Sequence, residues 1–250
     1  MSRIIYEPTG RAREYAPLAC NLWVGCTHAC TYCYGPGSAR RTREEFACPS
    51  RKDNAIGRLM ADAEEMAGDP RPVLFSFLTD PYCTDAVAST TRNALEILGM
   101  HHMTATILTK AGGRSCDDFD LLKAFDFSYG VSLSFSTDCV REKWEPFAAP
   151  VDERIACLRD ACLLGIRTWA SVEPVVDADE ALGVIVRLAT LCDEIKLGAW
   201  NYDGRAARID WPTYAIAAVS IAKKMHGCRV FVKKDLAERT GGRFAAGWLD

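Results

Sequence analysis

An α/β fold with a parallel sheet is predicted by three features of the sequence. Short apolar runs alternate with stretches of helical apolar spacing, the alternation continues through most of the 250 residues, and no repeat, low-complexity segment or linker interrupts it. Strands that alternate with helices are βαβ units, and these build parallel sheets. The chain is long enough to bury one large core, so a single domain is expected over 1–250, with an N-terminal arm at about 1–15 and a C-terminal extension at about 226–250. The right-handed crossover rule leaves a doubly wound sheet or a full or partial barrel. In either arrangement, loops at the carboxyl ends of the strands carry the site.

The elements follow in order. After the arm, Ala16–Val24 reads as a first strand that runs into a cysteine-rich loop. Helical spacing over Lys52–Met66 precedes Pro72–Leu78, a short apolar run typical of a buried strand. A helix near Ser89–Leu98 leads to a strand at Met103–Leu108, and a helix at Asp117–Phe125 leads to a strand at Phe127–Phe135. Val151–Leu164 (helix), Ile166–Val172 (strand), Ala178–Leu191 (helix) and Glu194–Leu197 (strand) continue the pattern. Trp211–Lys224 is the last helix, and Arg229–Val232 adds a strand.

The formal net charge of −3 argues against gripping a long nucleic acid by bulk electrostatics. Two local basic clusters, Arg40, Arg41 and Arg43, and Lys223, Lys224, Arg229, Lys233 and Lys234, read as solvated surface. No apolar run reaches the roughly 20 residues that span a bilayer, and the N-terminus lacks the basic start and apolar stretch of a secretory signal. A cytoplasmic protein (or one of a host cytoplasm, if viral) with no membrane partner is expected.

Twelve cysteines are many for such a chain. In a reducing compartment most of the scattered ones are ordinary small core residues. Gly25–Tyr34, GCTHACTYCY, is different: Cys26, Cys30 and Cys33 form a C-x3-C-x2-C triplet. Thiolates are soft ligands suited to iron–sulfur clusters or zinc. Three within eight residues can wrap a [4Fe–4S] cubane and leave one iron open to a small molecule. S-adenosylmethionine (SAM) can chelate such an iron through its amino and carboxylate groups. The alternative is structural zinc with His28 or Cys20 as fourth ligand, but such sites close with a second ligand pair, and no second C-x2-C or H-x3-H exists here.

C-x3-C-x-aromatic-C after a first strand, matched by Cys26, Cys30, Tyr32 and Cys33, resembles the signature of the radical SAM superfamily. That resemblance implies a full or partial (β/α)6 TIM-like barrel, and the strand–helix pairs agree with it. Within the superfamily the chain resembles the spore photoproduct lyase-like branch, through Asn21–Tyr34, Leu78–Tyr82, Leu108–Arg114, Val131–Asp138, Glu145–Ile155, Ser171–Pro174 and Ile195–Tyr202. The resemblance implies a [4Fe–4S] cluster and SAM as cofactors, and a one-electron reductant such as flavodoxin or ferredoxin as partner.

It also places Thr79 and Asp80 on the loop that contacts the SAM amino group, a task suited to a carboxylate. Lys110, ending the third strand, is a cation for the SAM carboxylate or a substrate phosphate, or else solvated. Ser132 and Ser134 share one side of the fourth strand and are candidates for the SAM ribose, or they satisfy each other. Glu173 leaves a buried run and needs a partner, which is SAM, substrate or Lys196. Lys196, with Asn201 and Tyr202, is a candidate for substrate or adenine contacts.

A thiol or phenol facing the site can return hydrogen to a product radical, and Cys83, Cys139 and Tyr82 are the candidates. One departure from the branch stands out: the hydrogen-donating cysteine that spore photoproduct lyase carries before its Ser/Thr-Asp pair is replaced here at Phe77 and Leu78. Three functions follow. The first is a radical SAM enzyme acting on a nucleic-acid base or modified thymidine, by rearrangement or cleavage; a pointed form is a phage-type isomerase of an amino-acid-decorated thymidine in DNA. Trp144, Trp200, Tyr202 and Trp211 are its candidate stacking residues. The second is a radical SAM enzyme modifying a peptide or small molecule, and the third a metal-binding interaction module without activity.

Overall fold

Residues 3–188, 190–224 and 227–249 are described in the computed structural model. Residues 1–2 of the expected arm, residue 189 of the expected 178–191 helix, and residues 226 and 250 of the expected C-terminal extension lie outside the described residues. The strands are β1 (Ile5–Tyr6), β2 (Leu18–Cys20), β3 (Trp23–Val24), β4 (Ser50–Arg51), β5 (Val73–Phe75), β6 (Ala105–Thr109), β7 (Ser128–Ser132), β8 (Arg167–Val172), β9 (Glu194–Leu197), β10 (Arg229–Val232) and β11 (Gly247–Leu249). Nine of them form one sheet in the order β1-β2-β5-β6-β7-β8-β9-β10-β11. From β2 to β10 every pairing is parallel, and β1 and β11 add antiparallel edges. The parallel strands succeed one another without reversal, which is barrel-type winding; a doubly wound sheet would switch direction.

The sheet is curved as well. Tyr15 packs on Phe77, just past β5, and on Trp169 of β8, with ring centroids at 5.9 and 6.4 Å. Three strand spacings on a flat sheet would span about 14 Å, so the face that carries these rings is concave. Period-two alternation then divides the residues. Tyr129, Val131, Ala170 and Val172 join the large core under the helices, whereas Ala19, Leu74 and Trp169 form a smaller cluster on the concave face. Gly130 belongs to the concave side, where the Trp169 ring lies over it; a Cβ there would stand 2.3 Å from that ring.

Several expected elements are shorter. The first strand divides at Asn21, whose Oδ1 accepts the Phe77 and Leu78 N–H groups, both at 2.9 Å, and whose amide donates to the Tyr6 hydroxyl. The same bonds end β5 early. The β3–β4 ribbon beyond Asn21 closes the base of the cysteine loop. Side-chain caps set the starts of two helices: Thr84 accepts from Val87 at the head of Asp85–Met100, and Asp210 accepts from Thr213 before Trp211–Lys223. Asp117–Phe125 is helical only from Phe119, after a 3-10 segment at Gly112–Asp118. Helix Asp138–Trp144 was not legible as a separate element. The arm is built into the fold, because β1 pairs with β2 and Gly10–Glu14 forms a 3-10 turn that delivers Tyr15 to the concave face. Among the described residues no helix is long and apolar enough to cross a membrane.

The packing of Trp169 on Gly130 predicts that Gly130→Val, which overfills this contact, lowers unfolding free energy by about 1–3 kcal/mol in chemical denaturation, with Gly130→Ala at the lower end. An unchanged midpoint for Gly130→Val would show that the ring does not rest there.

Candidate active site

The cysteine loop leaves β3 at the carboxyl end of the parallel strands. Gly25 turns it with φ +113°, and a Cβ there would meet the Phe46 carbonyl oxygen at 2.7 Å, so glycine is required. Its N–H donates to the Leu78 carbonyl, and the Cys26 N–H to that of Phe46. Arg41 donates to the Val24 carbonyl, and Arg43 to the carbonyls of Cys30 and Thr31. Two arginines expected on a solvated surface therefore hold the loop. The Gly35 N–H donates to the Cys33 Sγ at 3.3 Å, a bond that favours thiolate.

Burial, with Glu145 second, pushes the Cys30 thiol up to about 12. A hydrogen bond between Cys26 and Cys83, with burial second, raises Cys26 well above the ordinary thiol range, and the same bond brings Cys83 down to about 7. Ligands of this kind are protonated until a cation arrives, so metal loading releases protons.

The two residues considered as fourth zinc ligands have other surroundings. The His28 Nδ1 faces the Asp80 carboxylate at 3.6 Å, and Cys20 is fully buried in β2 with its thiol pushed to about 12 by burial. Among the described residues no three His, Cys, Asp or Glu side chains gather as a single-ion site. Three thiols strung along one loop, with an N–H on one sulfur, suit a multi-iron cluster better than a tetrahedral ion.

Asp80 is adjacent to this loop. Its Oδ1 accepts from the Tyr82 N–H and the Thr109 hydroxyl, and its Oδ2 accepts from the Lys110 N–H at 2.7 Å. Thr79 is buried, with its Oγ1 3.7 Å from the Cys83 Sγ. Lys110 donates to the Ser132 hydroxyl at 2.6 Å and stands 3.9 Å from Glu145. The Ser134 Oγ is buried with no hydrogen-bond partner among the described residues, so the two serines do not satisfy each other.

Of the three hydrogen-donor candidates, only Cys83 lies against the cysteine loop. The Tyr82 hydroxyl donates to Asp118 in the large core, away from the concave face. Cys139 is exposed on helix Asp138–Trp144.

Glu173 pairs with Lys233, and Lys196 is not its partner. It also accepts the Tyr15 hydroxyl at 2.7 Å. Lys233, expected on a solvated surface, is 1% exposed and sits over the Tyr15 ring at 4.0 Å. Lys196 is level with Ser171 of β8, and its side chain reaches toward the amino-terminal ends of the strands, where it donates to the Glu14 and Tyr15 carbonyls and lines a cavity. Its ammonium is thus directed into this cavity and not into the mouth where SAM or substrate contacts were expected. The volume of that cavity does not make it the reaction site, since the thiols are at the other end.

Sequence reasoning missed Glu145, the best-enclosed charge beside the loop. Its carboxylate is fully buried, accepts from the Tyr32 hydroxyl, and faces Arg154 at 2.7 Å, off the line of a good hydrogen bond. Burial raises its pKa, but Arg154 and Lys110 outweigh that and hold it below the ordinary range. Burial, then Glu145, holds the Tyr32 phenol well above its usual value. A glutamate and an arginine nine residues apart in EPFAAPVDERI give no sequence signal of burial.

Solved structures share this architecture. A spore photoproduct lyase variant matches with TM-score 0.67 and 15% identity, over 90% of this chain and 78% of that one. Spore photoproduct lyase complexed with dinucleoside spore photoproduct matches with TM-score 0.66 and 14% identity, over 91% and 80%. The chain shares the fold of spore photoproduct lyase. SuiB of Streptococcus suis, bound to S-adenosylmethionine, matches with TM-score 0.60 and 11% identity, over 87% of this chain and 50% of that one. At these identities the likeness is one of architecture. No protein-family model matches the sequence, and no curated protein matches it either.

Removing the Glu145 charge leaves Arg154 buried and unpaired. Glu145→Gln is expected to cost about 3–5 kcal/mol in guanidinium unfolding. Because the folded carboxyl titrates below its unfolded value of about 4.3, its contribution is complete above that pH and is lost as pH falls through the lower folded value. The variant should lack this share of the acid-induced loss. A cost under about 1 kcal/mol would mean that the pair is not buried as described.

Proposed function

We propose that the chain is a radical SAM enzyme acting on a nucleic-acid base or modified thymidine. The observation that carries this reading is the position of Cys26, Cys30 and Cys33 on one loop at the carboxyl mouth of a spore photoproduct lyase-type fold, with His28 facing Asp80 and Cys20 buried in β2. These three thiols would hold a [4Fe–4S] cluster and leave its fourth iron to SAM. The cluster they would hold would supply one-electron reduction of SAM, the chemistry that opens unactivated C–H bonds of a substrate to hydrogen abstraction.

The chain's own residues bind, orient and exclude water. The Gly35 N–H offsets thiolate charge at Cys33, and burial of Cys30 keeps solvent from the sulfur. Lys110, steadied by Ser132, offers an ammonium to the SAM carboxylate. The unpartnered Ser134 hydroxyl is a ready partner for the ribose. Asp80, which accepts the Lys110 N–H, ties the end of β6 to the loop after β5 and is the carboxylate we assign to the SAM amino group.

Nucleic-acid chemistry is supported by the neighbour bound to a dinucleoside photoproduct and by the rim of the mouth. Trp144 accepts the Thr31 N–H through its carbonyl, and Arg205 lies 4.9 Å from both the Trp144 and Trp200 rings. Trp200 and Trp211 are buried and Trp144 is half-buried with Arg205 over its ring, so of the expected stacking residues Tyr202, 88% exposed with Arg11 at 5.5 Å, is the most open to a base. An isomerase that returns the abstracted hydrogen from 5′-deoxyadenosine needs no cysteine across the mouth, in keeping with Phe77 and Leu78 where spore photoproduct lyase has its donor. A flavodoxin- or ferredoxin-type protein would supply the electron.

The anaerobically reconstituted protein with SAM and reductant should form 5′-deoxyadenosine, and Cys30→Ala should abolish it. Deuterium should pass from DNA containing labelled, modified thymidine into 5′-deoxyadenosine. Transfer from peptides and from no nucleic acid would move the substrate to the peptide class, and stoichiometric zinc without SAM cleavage would overturn the enzyme assignment.

A further inference from the structure

The cavity at the amino-terminal ends of the strands, opposite the cysteine loop, has a volume of about 440 Å³, in the range of small-molecule sites. Trp169, Phe231, Trp248 and Tyr15 contribute to its walls, and Lys196 projects among them. Lys196 is 7% exposed, and its ammonium donates to two backbone carbonyls, Glu14 at 2.9 Å and Tyr15 at 2.7 Å. Aromatic faces surround it at 5.3 Å (Trp169), 5.6 Å (Phe231) and 6.0 Å (Trp248), but among the described residues no carboxylate lies within ion-pair distance. A buried ammonium held only by neutral dipoles is costly, and an anion beside it removes the cost.

The other charges point the same way. Two lining carboxylates are already paired, Glu194 with Arg229 and Asp126 with Arg167. Glu14 accepts the Lys234 N–H, and burial pushes its carboxyl up toward the neutral form. Arg13 lines the cavity with no carboxylate partner among the described residues, and the buried Trp169 Nε1–H has no acceptor. Four aromatic rings beside one enclosed cation, in a lining otherwise shared by polar side chains, suit a flat ring with one negative group.

We propose that this cavity is a second ligand site, separate from the SAM mouth, for a planar aromatic molecule bearing an anionic group, with Lys196 as its charge partner. Burial holds the Lys196 pKa down at about 8, against the more distant attraction of Glu194 and Glu14. Tyr15 joins the two ends of the barrel: its carbonyl accepts from Lys196 in the cavity, while its hydroxyl donates to Glu173 at the mouth. A ligand that draws the Lys196 ammonium away from that carbonyl acts on the residue that steadies Glu173.

The test is calorimetric titration of the full chain with naphthalene-2-carboxylate and with the neutral naphthalene-2-carboxamide. The carboxylate should bind about tenfold more tightly than the amide, the factor that separates a charge-assisted contact from a neutral one. Lys196→Met should erase that difference, and Trp248→Ala, at a rim position 43% exposed, should weaken both probes alike. Saturating SAM should displace neither. Equal affinities in the native chain, no binding, or displacement by SAM would each overturn the second site, and none of them bears on whether SAM is cleaved.

Discussion

The mouth of this barrel is organised around one buried carboxylate. Glu145 receives the Tyr32 hydroxyl from the cysteine loop, faces Arg154 of helix Val151–Leu163, and draws Lys110 from the end of β6. Arg154 in turn donates to the Ser132 carbonyl at the end of β7. Loop, helix and two strand ends thus meet at a single charge removed from water. Such a charge is tolerated only when its partners are in place, so each element constrains the others. The loop that presents three thiols is held by near neighbours in the chain and, through Tyr32 and Thr31, by groups more than a hundred residues away.

A second buried set organises the interior. The arm passes Tyr15 onto the concave face, where Glu173, Ser171 and Lys233 hold its hydroxyl end and Lys196 holds its backbone. The ring, with Phe77 and Trp169, fills the middle of the curved sheet. The barrel therefore has two separate concavities, one below the cysteine loop and one at the amino ends of the strands. Filling by the chain's own aromatic residue is the usual solution for a barrel of this size, since a small barrel is a packed core and not a pore.

The parts of this arrangement that were legible from sequence are those that depend on near neighbours in the chain. The strand–helix alternation survived in every expected pair, because period-two and helical spacing report which face is buried. Ser132 was placed correctly on the inward side for the same reason, and the thiols were found because their spacing lies within one loop. Where reading failed, the deciding contact was remote. Tyr82 and Cys83 are adjacent, yet one hydroxyl enters the core at Asp118 while the other side chain meets Cys26. Arg41, Arg43 and Lys233 looked like solvated charge, and each is claimed by acceptors from another segment. Glu173, for which SAM, substrate or Lys196 was the expected partner, pairs with Lys233 at the end of β10.

By itself the sequence determined the α/β class, the order of the parallel strands' elements and the identity of the thiol loop, because local hydrophobic periodicity and covalent spacing are sufficient for those. The tertiary structure alone decided which charges are buried, which partner each one takes, and at which end of the barrel Lys196 comes to rest. Burial and ion pairing are properties of surfaces brought together by folding, and a residue's own neighbours in the chain carry no record of what will be packed against it.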